Sequence, residues 1–233
     1  KTNKDFKKEI ENTDSPTKNI LHNYLANLYW QYLQQNRYRF YGRTEIITKV
    51  DQNDFRTWDV ATLFSEINYH FQESLKNEEL LQNSPLKTYE TLLSKQENSE
   101  KYRPTLFDLL AHNALDFYKT SENSINQPAY KFEILDEGLM CEAYDFAQKE
   151  LVAKDSTSLQ LTALQTYQDL IKFHFQDPEP FALTHVDIDR LKFTLQNAIF
   201  ENKNEIYIEV LKNTAESLKH HEVSALYGYE IAQ

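Results

Sequence analysis

The sequence predicts an all-α protein. Its 233 residues include only three glycines and six prolines, which is too few for the many tight turns of a sheet-rich fold. Leu, Lys, Glu, Gln and Ala, which enter helices at little cost, dominate the segments between the breaks. Apolar residues recur there at steps of three and four, the spacing of one helix face. Together these observations predict antiparallel helix pairs, stacked as a tetratricopeptide-like or irregular α-solenoid.

The first two helices are predicted over residues 4–12 and 17–40, with the break TDSP between them. The side chain of Asp14 or Ser15 is expected to cap the second helix, and Pro16 suits its first turn. This second helix is rich in aromatic residues and ends in a basic aromatic tail. Its apolar positions share one face: Leu21, Tyr24, Leu25, Leu28 and Tyr32.

The later helices are predicted from the same periodicity, after a connection over residues 41–59. Trp58 is expected to be a packing anchor where the next helix starts, near Asp59. Thr157 with Gln160 and Thr184 with Asp187 have the spacing of capping pairs. For the segment 130–135, an isolated strand remains an alternative. The predicted helices cover 59–76, 86–93, 104–117, 139–152, 157–175, 184–199, 207–218 and 225–232.

The domain organisation follows from these breaks. Residues 1–16 are predicted to form an N-terminal helix and break, and residues 17–233 a single helical repeat-like domain. Helix pairs of this kind bury their apolar faces by stacking on neighbours. The chain is therefore expected to stop before the rest of a larger protein.

Charge and composition exclude several classes of function. The net charge of −11 argues against a nucleic-acid partner, which requires clustered positive charge. No apolar run approaches the roughly 18 residues of a membrane-spanning helix. Cys141 is the single cysteine, so the chain has no internal disulfide, and cysteine usage leaves the compartment open. The N-terminal KTNKDFKKEI lacks the apolar core of a secretory signal.

Metal ligands are not predicted. Asp51, Asn53 and Asp54 resemble the start of a calcium loop, but Arg56 stands where glycine is needed and Thr62 where a bidentate Glu belongs. The adjacent acceptors His220, His221 and Glu222 cannot all face one ion from a regular helix. No zinc-hydrolase spacing occurs anywhere in the sequence.

Catalytic residues and cofactor-binding residues are not predicted either. The pairs Asp187 with Asp189 and Asp177 with Glu179 sit at predicted helix boundaries, where capping explains them better than acid–base chemistry. Cys141 lacks an identifiable base, and isolated glycines cannot build a phosphate loop. The histidines His112, His174 and His185 are expected on ordinary helix faces.

The aromatic and basic cluster NRYRFYGR, at residues 36–43, is the strongest candidate for a contact surface. Tyr and Arg are common anchors of protein interfaces. The alternative is internal packing, with aromatics locking the helix end and arginines pairing with Glu45 or Asp59. The candidate protein-contact residues are Tyr29, Trp30, Tyr38, Arg39 and Tyr41.

Three landmarks, taken together, carry a family resemblance: LHNYLANLYWQYLQQNRYRFYGRTE, DFRTWDVATLF and KYRPTLFDLLAHNALDFY. They resemble the amino-terminal region of the very large alpha-2-macroglobulin-like proteins of Bacteroidota. The later segments LQLTALQTYQDLIKFHF and DIDRLKFTLQNAI continue in the same order, so the resemblance runs from Ile20 to the end.

This resemblance implies a helical, tetratricopeptide-like region that precedes the macroglobulin-type β-sandwich domains of an exported protein of the periplasm or cell envelope. Relatives are thought to trap attacking proteases, and some use a reactive thioester. Cys141 lies in MCEAY and lacks the Gly-Cys-Gly-Glu-Gln pattern of a thioester. The covalent chemistry of the family is therefore not expected in this chain.

The expected function is that of a non-catalytic helical scaffolding or protein-interaction domain, without a cofactor. Its expected partner is a protein, either other domains of the parent chain or another envelope component. Two alternatives stay open. One is an independent helical enzyme with a site built from dispersed residues such as His112 and His174 with nearby acids. The other is a cytosolic peptide-binding repeat protein.

Overall fold

The computed structural model describes residues 3–41, 54–94, 96–120, 132–153 and 157–233. These residues form α-helices and short 3-10 helices without a β-strand, so the predicted all-α class is confirmed. Two isolated bridges are present, Pro85 with Thr105 and Ile134 with Ala198. The α-helices are α1 (Asn3–Glu11), α2 (Thr17–Gln35), α3 (Arg37–Tyr41), α4 (Val60–Ser74), α5 (Glu78–Gln82), α6 (Leu106–Tyr118), α7 (Ala143–Gln148), α8 (Leu159–His174), α9 (Phe181–Asn197), α10 (Lys203–Ser217) and α11 (Ser224–Ala232).

Three predicted helices differ most from the observed ones. The aromatic helix ends at Gln35, where the backbone of Asn36 leaves the helical conformation (φ −114°, ψ 16°), and α3 follows as a separate helix. The segment after Pro85 is a 3-10 helix, Leu86–Leu92. The helix predicted over 139–152 is reduced to α7.

The predicted caps are wrong, although two of the three helix starts are close. No side chain caps α2, whose Lys18 amide bonds the backbone carbonyl of Asp14. The cap of α8 is Ser158, which accepts from the Leu161 amide at 3.2 Å. Thr184 and Asp187 lie inside α9 and are buried, because α9 already begins at Phe181.

The described residues divide into two compact units. The first comprises Lys1–Thr88 with Thr105–Phe117, and the second comprises Tyr89–Pro104 with Tyr118–Gln233. This division differs from the predicted boundary at residue 16. The helix α1 belongs to the first unit, where its Asn3 accepts a hydrogen bond from the Tyr29 hydroxyl of α2 at 2.5 Å.

The first unit is built on an antiparallel pair, α2 with α4. Asn19 at the start of α2 contacts the end of α4, whereas Trp30 near the end of α2 packs on Phe64 near the start of α4. Trp30 also packs on Phe117 of α6, with ring centroids 5.3 Å apart. Trp58, directly before α4, is 2% exposed, which confirms it as a packing anchor.

The second unit contains two antiparallel pairs. Gln160 near the start of α8 bonds Asn197 at the end of α9 at 3.0 Å, and Tyr167 further along α8 bonds Asp189 earlier in α9 at 2.7 Å. The helices α8 and α9 are therefore antiparallel. The end of α10 contacts the start of α11, where the Ser224 hydroxyl donates to the carbonyl of Ala215.

The helices α9 and α11 run in the same direction. Asp187 contacts Tyr227, and Lys192, further along α9, contacts Glu230, further along α11. Alternating antiparallel neighbours and parallel next neighbours are typical of helix-pair repeats. The helices of this unit therefore follow the helical-repeat pattern that the sequence predicts.

Candidate functional site

The orientation of α2 decides which of its side chains face solvent. Its Asn19, His22 and Asn23 are between 2% and 4% exposed, although they are polar. The Asn19 amide donates to the carbonyls of Ser74 and Lys76, at 3.0 and 2.7 Å. These carbonyls lie at the end of α4, where helix carbonyls lack an intrahelical partner.

Asn23 joins α2 to both of its neighbours. Its amide donates to the Leu110 carbonyl of α6 at 3.1 Å and to the Ser74 hydroxyl of α4 at 3.2 Å. Its side-chain oxygen accepts from Asn113 of α6 at 2.8 Å. Buried amides are stable only when paired in this way. Polar side chains in the first half of α2 are therefore part of the core.

As a consequence, apolar side chains of α2 lie on the surface. Tyr24 is 64% exposed and Leu28 is 36% exposed, while Leu21 is partly buried. We call Leu21, Tyr24 and Leu28 the α2 ridge. Phe6 of α1 stacks on Tyr24, with ring centroids 6.2 Å apart and planes within 8°. The ridge thus offers an aromatic and aliphatic surface that the core of the unit does not use.

The candidate contact residues fall into three groups. Tyr29 and Trp30 are 0% and 6% exposed, so neither can contact a partner while the unit is folded. Tyr38 is 77% exposed on α3. The side chains of Arg39 and Tyr41 lie outside the described residues.

Tyr29 and Trp30 are core residues for a clear reason. The Tyr29 ring packs between Phe55 and Trp58, with centroids 5.1 and 5.3 Å away. Burial raises the pKa of Tyr29 far above its usual value. The sequence placed these residues near a contact surface because it does not show on which side of α2 the rest of the unit packs.

A buried ion pair organises the second unit. Arg190 and Asp187, both 0% exposed, form a short ion pair one turn apart on α9. The Arg190 guanidinium also donates to the carbonyls of Leu139 and Cys141, at 3.2 and 2.9 Å. It lies 4.5 Å from the ring centroid of Phe146. One cation therefore ties α9 to the segment before α7 and to α7 itself.

Asp187 is held from the other side by α11. Its second carboxylate oxygen accepts from the Tyr227 hydroxyl at 3.0 Å. Burial, with the nearby Asp187 carboxylate, raises the pKa of Tyr227 well above its usual range. Tyr227 is thus a neutral donor at physiological pH. The predicted capping role of Asp187 is wrong, because Asp187 is in the core and its partners come from two helices.

The other acidic candidates also have structural partners. Asp189 accepts from Lys119 and Tyr167, at 3.0 and 2.7 Å. Asp177 pairs with His174 at 2.8 Å, and Glu179 pairs with His221 at 2.8 Å. These contacts replace the caps that the sequence predicted. The calcium-loop positions Asp51 and Asn53 lie outside the described residues, and Asp54 accepts from the Arg56 amide in a 3-10 turn.

Cys141 is a free cysteine and is partly buried. Burial raises its pKa, which outweighs the opposing effect of Arg190. The thiol form, which is a poor nucleophile, therefore dominates at neutral pH. His112 lies in the first unit, and His174 and His185 lie in the second.

The outward face of α10 carries a shallow depression of about 510 Å³. Residues of this one helix line it, so side chains do not converge on it from several elements as they do in ligand sites. They are Asn204, Glu205, Ile208, Glu209, Lys212 and Asn213.

Among the residues that the structure describes, His, Cys, Asp and Glu side chains do not gather in groups of three or more that could hold a metal ion. None of the helices in the described ranges has both the length and the apolar character to cross a membrane.

The sequence matches no family model, and no curated protein or solved structure matches it significantly.

Proposed function

We propose that this chain is a non-catalytic helical scaffolding domain that binds protein through the α2 ridge. The observation that carries the proposal is that Tyr24 and Leu28 of α2 face solvent, although the polar Asn19 and Asn23 of the same helix are in the core. Covering apolar side chains at the surface of a helix removes them from water and thereby lowers the free energy of the complex. Tyr is a frequent anchor of protein interfaces.

The stacking of Phe6 on Tyr24 supports this role. Two aromatic rings with planes within 8° hold one another in place, so little side-chain entropy is lost when a partner binds. Tyr38, 77% exposed on the next helix, adds a second anchor to the same unit. An apolar helix face of this kind suits an amphipathic helix or another packed protein surface.

The parent of this domain, we propose, is an alpha-2-macroglobulin-like protein of the periplasm or cell envelope, possessing downstream β-sandwich domains. The basis is the resemblance of the aromatic landmarks, which begins at Ile20. The partner of the α2 ridge is then either another domain of the parent or an envelope protein. Cell fractionation tests the location, since a cytosolic peptide-binding protein would stay in the soluble cytosolic fraction.

Substitution of the ridge tests the contact. The double variant Tyr24→Ala, Leu28→Ala in the parent protein is expected to weaken partner binding or domain assembly roughly 30-fold or more, the loss typical of interface anchors. Tyr229→Ala is the matched control, because Tyr229 on α11 is also 64% exposed. Binding is measured by co-purification and titration, with thermal unfolding as a check that both variants fold.

Equal binding by the ridge variant and the Tyr229→Ala control would contradict the proposed surface. The single variant Tyr38→Ala separates the two anchors. Loss of binding in this variant, together with unchanged binding by the ridge variant, would indicate that the contact lies on α3.

A further inference from the structure

Two buried histidines form a direct contact between α2 and α4. The Nδ1 atoms of His22 and His70 are 2.8 Å apart, and the two side chains are 4% and 3% exposed. In such a contact one imidazole donates and the other accepts, so the accepting ring must keep the lone pair of its Nδ1. Protonation of both rings removes the acceptor and places two like charges in contact.

The charged groups around the pair act in both directions: Glu73 favours a charged His22, Lys18 and Lys76 oppose it, and burial outweighs Glu73. Glu66 of α4 is 3.8 Å from His70 Nε2, beyond hydrogen-bond distance, and is already paired with Lys7 of α1 at 3.2 Å. Glu73 of α4 is paired with Lys76 directly after that helix. Lys18 of α2 adds a further positive charge near His22.

Aromatic rings complete the surroundings. Tyr69 of α4 packs on both imidazoles, with centroids 6.2 Å from His22 and 5.1 Å from His70. Tyr29 of α2 lies 5.9 Å from His70. Carboxylates paired with lysines and neutral rings therefore surround the two histidines.

We propose that the His22–His70 contact is a proton-operated latch: it holds α2 against α4 while at least one imidazole is neutral, and protonation of both rings releases the helix pair. The latch is independent of whatever binds the α2 ridge. It would make the first unit open in an acidified environment.

The direction of the pH dependence follows from the buried state. Burial, together with the neighbouring His22, lowers the pKa of His70 to about 3, and burial also lowers the pKa of His22. In the open state both groups return to the ordinary value, near 6.5. The latch is therefore fully stable above that value and weakens as the pH falls toward the folded-state pKa. His70 makes opening about tenfold more favourable per pH unit in this window, and His22 adds to this effect down to its own lowered pKa.

Hydrogen exchange followed by mass spectrometry tests the latch in the full chain. Between about pH 7 and pH 5, and after correction for intrinsic exchange, protection of α2 and α4 is expected to fall by about tenfold or more per pH unit below 6.5. Peptides from α10, which carries no histidine, serve as the internal reference. Protection of α2 and α4 that stays constant relative to α10 would overturn the proposal.

The variant His22→Asn, His70→Asn removes the titration. Asn carries its amide near the position of Nδ1, so the pair can keep a hydrogen bond without binding a proton. This variant is expected to lose the pH dependence, whereas the control His221→Asn, at a surface histidine paired with Glu179, keeps it. The same pH dependence in the double variant as in the wild-type chain would overturn the latch.

A measurement on the wild-type chain covers the case in which the double variant fails to fold. NMR of the imidazole nitrogens should show the His70 ring neutral in the folded state at about pH 5. Titration of both rings near 6.5, with α2 and α4 still protected, would contradict the proposal.

Discussion

The variant Asp187→Ala is expected to lower the free energy of unfolding by about 3–5 kcal/mol, the usual cost of removing one partner of a buried ion pair. Arg190 would remain 0% exposed without its carboxylate, and the Tyr227 hydroxyl would lose its acceptor. The two backbone carbonyls that Arg190 binds cannot neutralise its charge. Urea unfolding followed by far-UV circular dichroism measures the loss.

The double variant Asp187→Leu, Arg190→Met is the control for this prediction. It removes both charges and leaves apolar side chains in the same space, so it should lose less stability than Asp187→Ala, which keeps the charge. Equal losses in the two variants would mean that packing, and not the unpaired charge, sets the cost. A loss below about 1 kcal/mol in Asp187→Ala would contradict the buried ion pair itself.

The variant Trp30→Ala should destabilise the chain by about 3–5 kcal/mol, because it leaves a large cavity in the core. Trp30 is 6% exposed and packs on Phe64 and Phe117, with centroids 6.4 and 5.3 Å away. Trp58, the second of the two tryptophans, remains as the fluorescence reporter in urea titrations. The loss of the edge-to-face ring contacts adds to the loss of buried area.

Tyr24→Ala on the same helix provides the comparison. Tyr24 is 64% exposed, so its removal should change the free energy of unfolding by less than about 1 kcal/mol. The two variants together test which side of α2 faces the core. Similar losses for Trp30→Ala and Tyr24→Ala would mean that the observed orientation of α2 is incorrect.

The fold class could be predicted because helix-forming composition and apolar periodicity act locally. The orientation of α2 could not be predicted in the same way. Its buried face includes Asn19, His22 and Asn23, which are favourable in a core only with partners 48 to 90 residues away in the sequence. Periodicity alone counts these residues as polar, so Tyr24 and Leu28 were grouped with the buried Leu25.

The burial of the ion pair in the second unit could not be predicted from the sequence for the same reason. Asp187 and Arg190 have the spacing of a pair on one helix turn, which is visible in the sequence. Their burial depends on α7 and α11, which cover them. The spacing of Thr184 and Asp187 therefore resembled a cap, although the helix starts earlier. Exposure of Tyr38 also depends on the break at Asn36, which the sequence did not indicate.

Site-specific photo-crosslinking in cells that produce the parent protein tests the central claim most directly. A photoreactive residue at position 24 reports on the α2 ridge, and one at position 229 reports on an equally exposed surface. Binding through the ridge predicts a defined protein crosslink from position 24, within the parent or to a partner, that is absent from position 229. Crosslinks from neither position, or the same crosslinks from both, would contradict it.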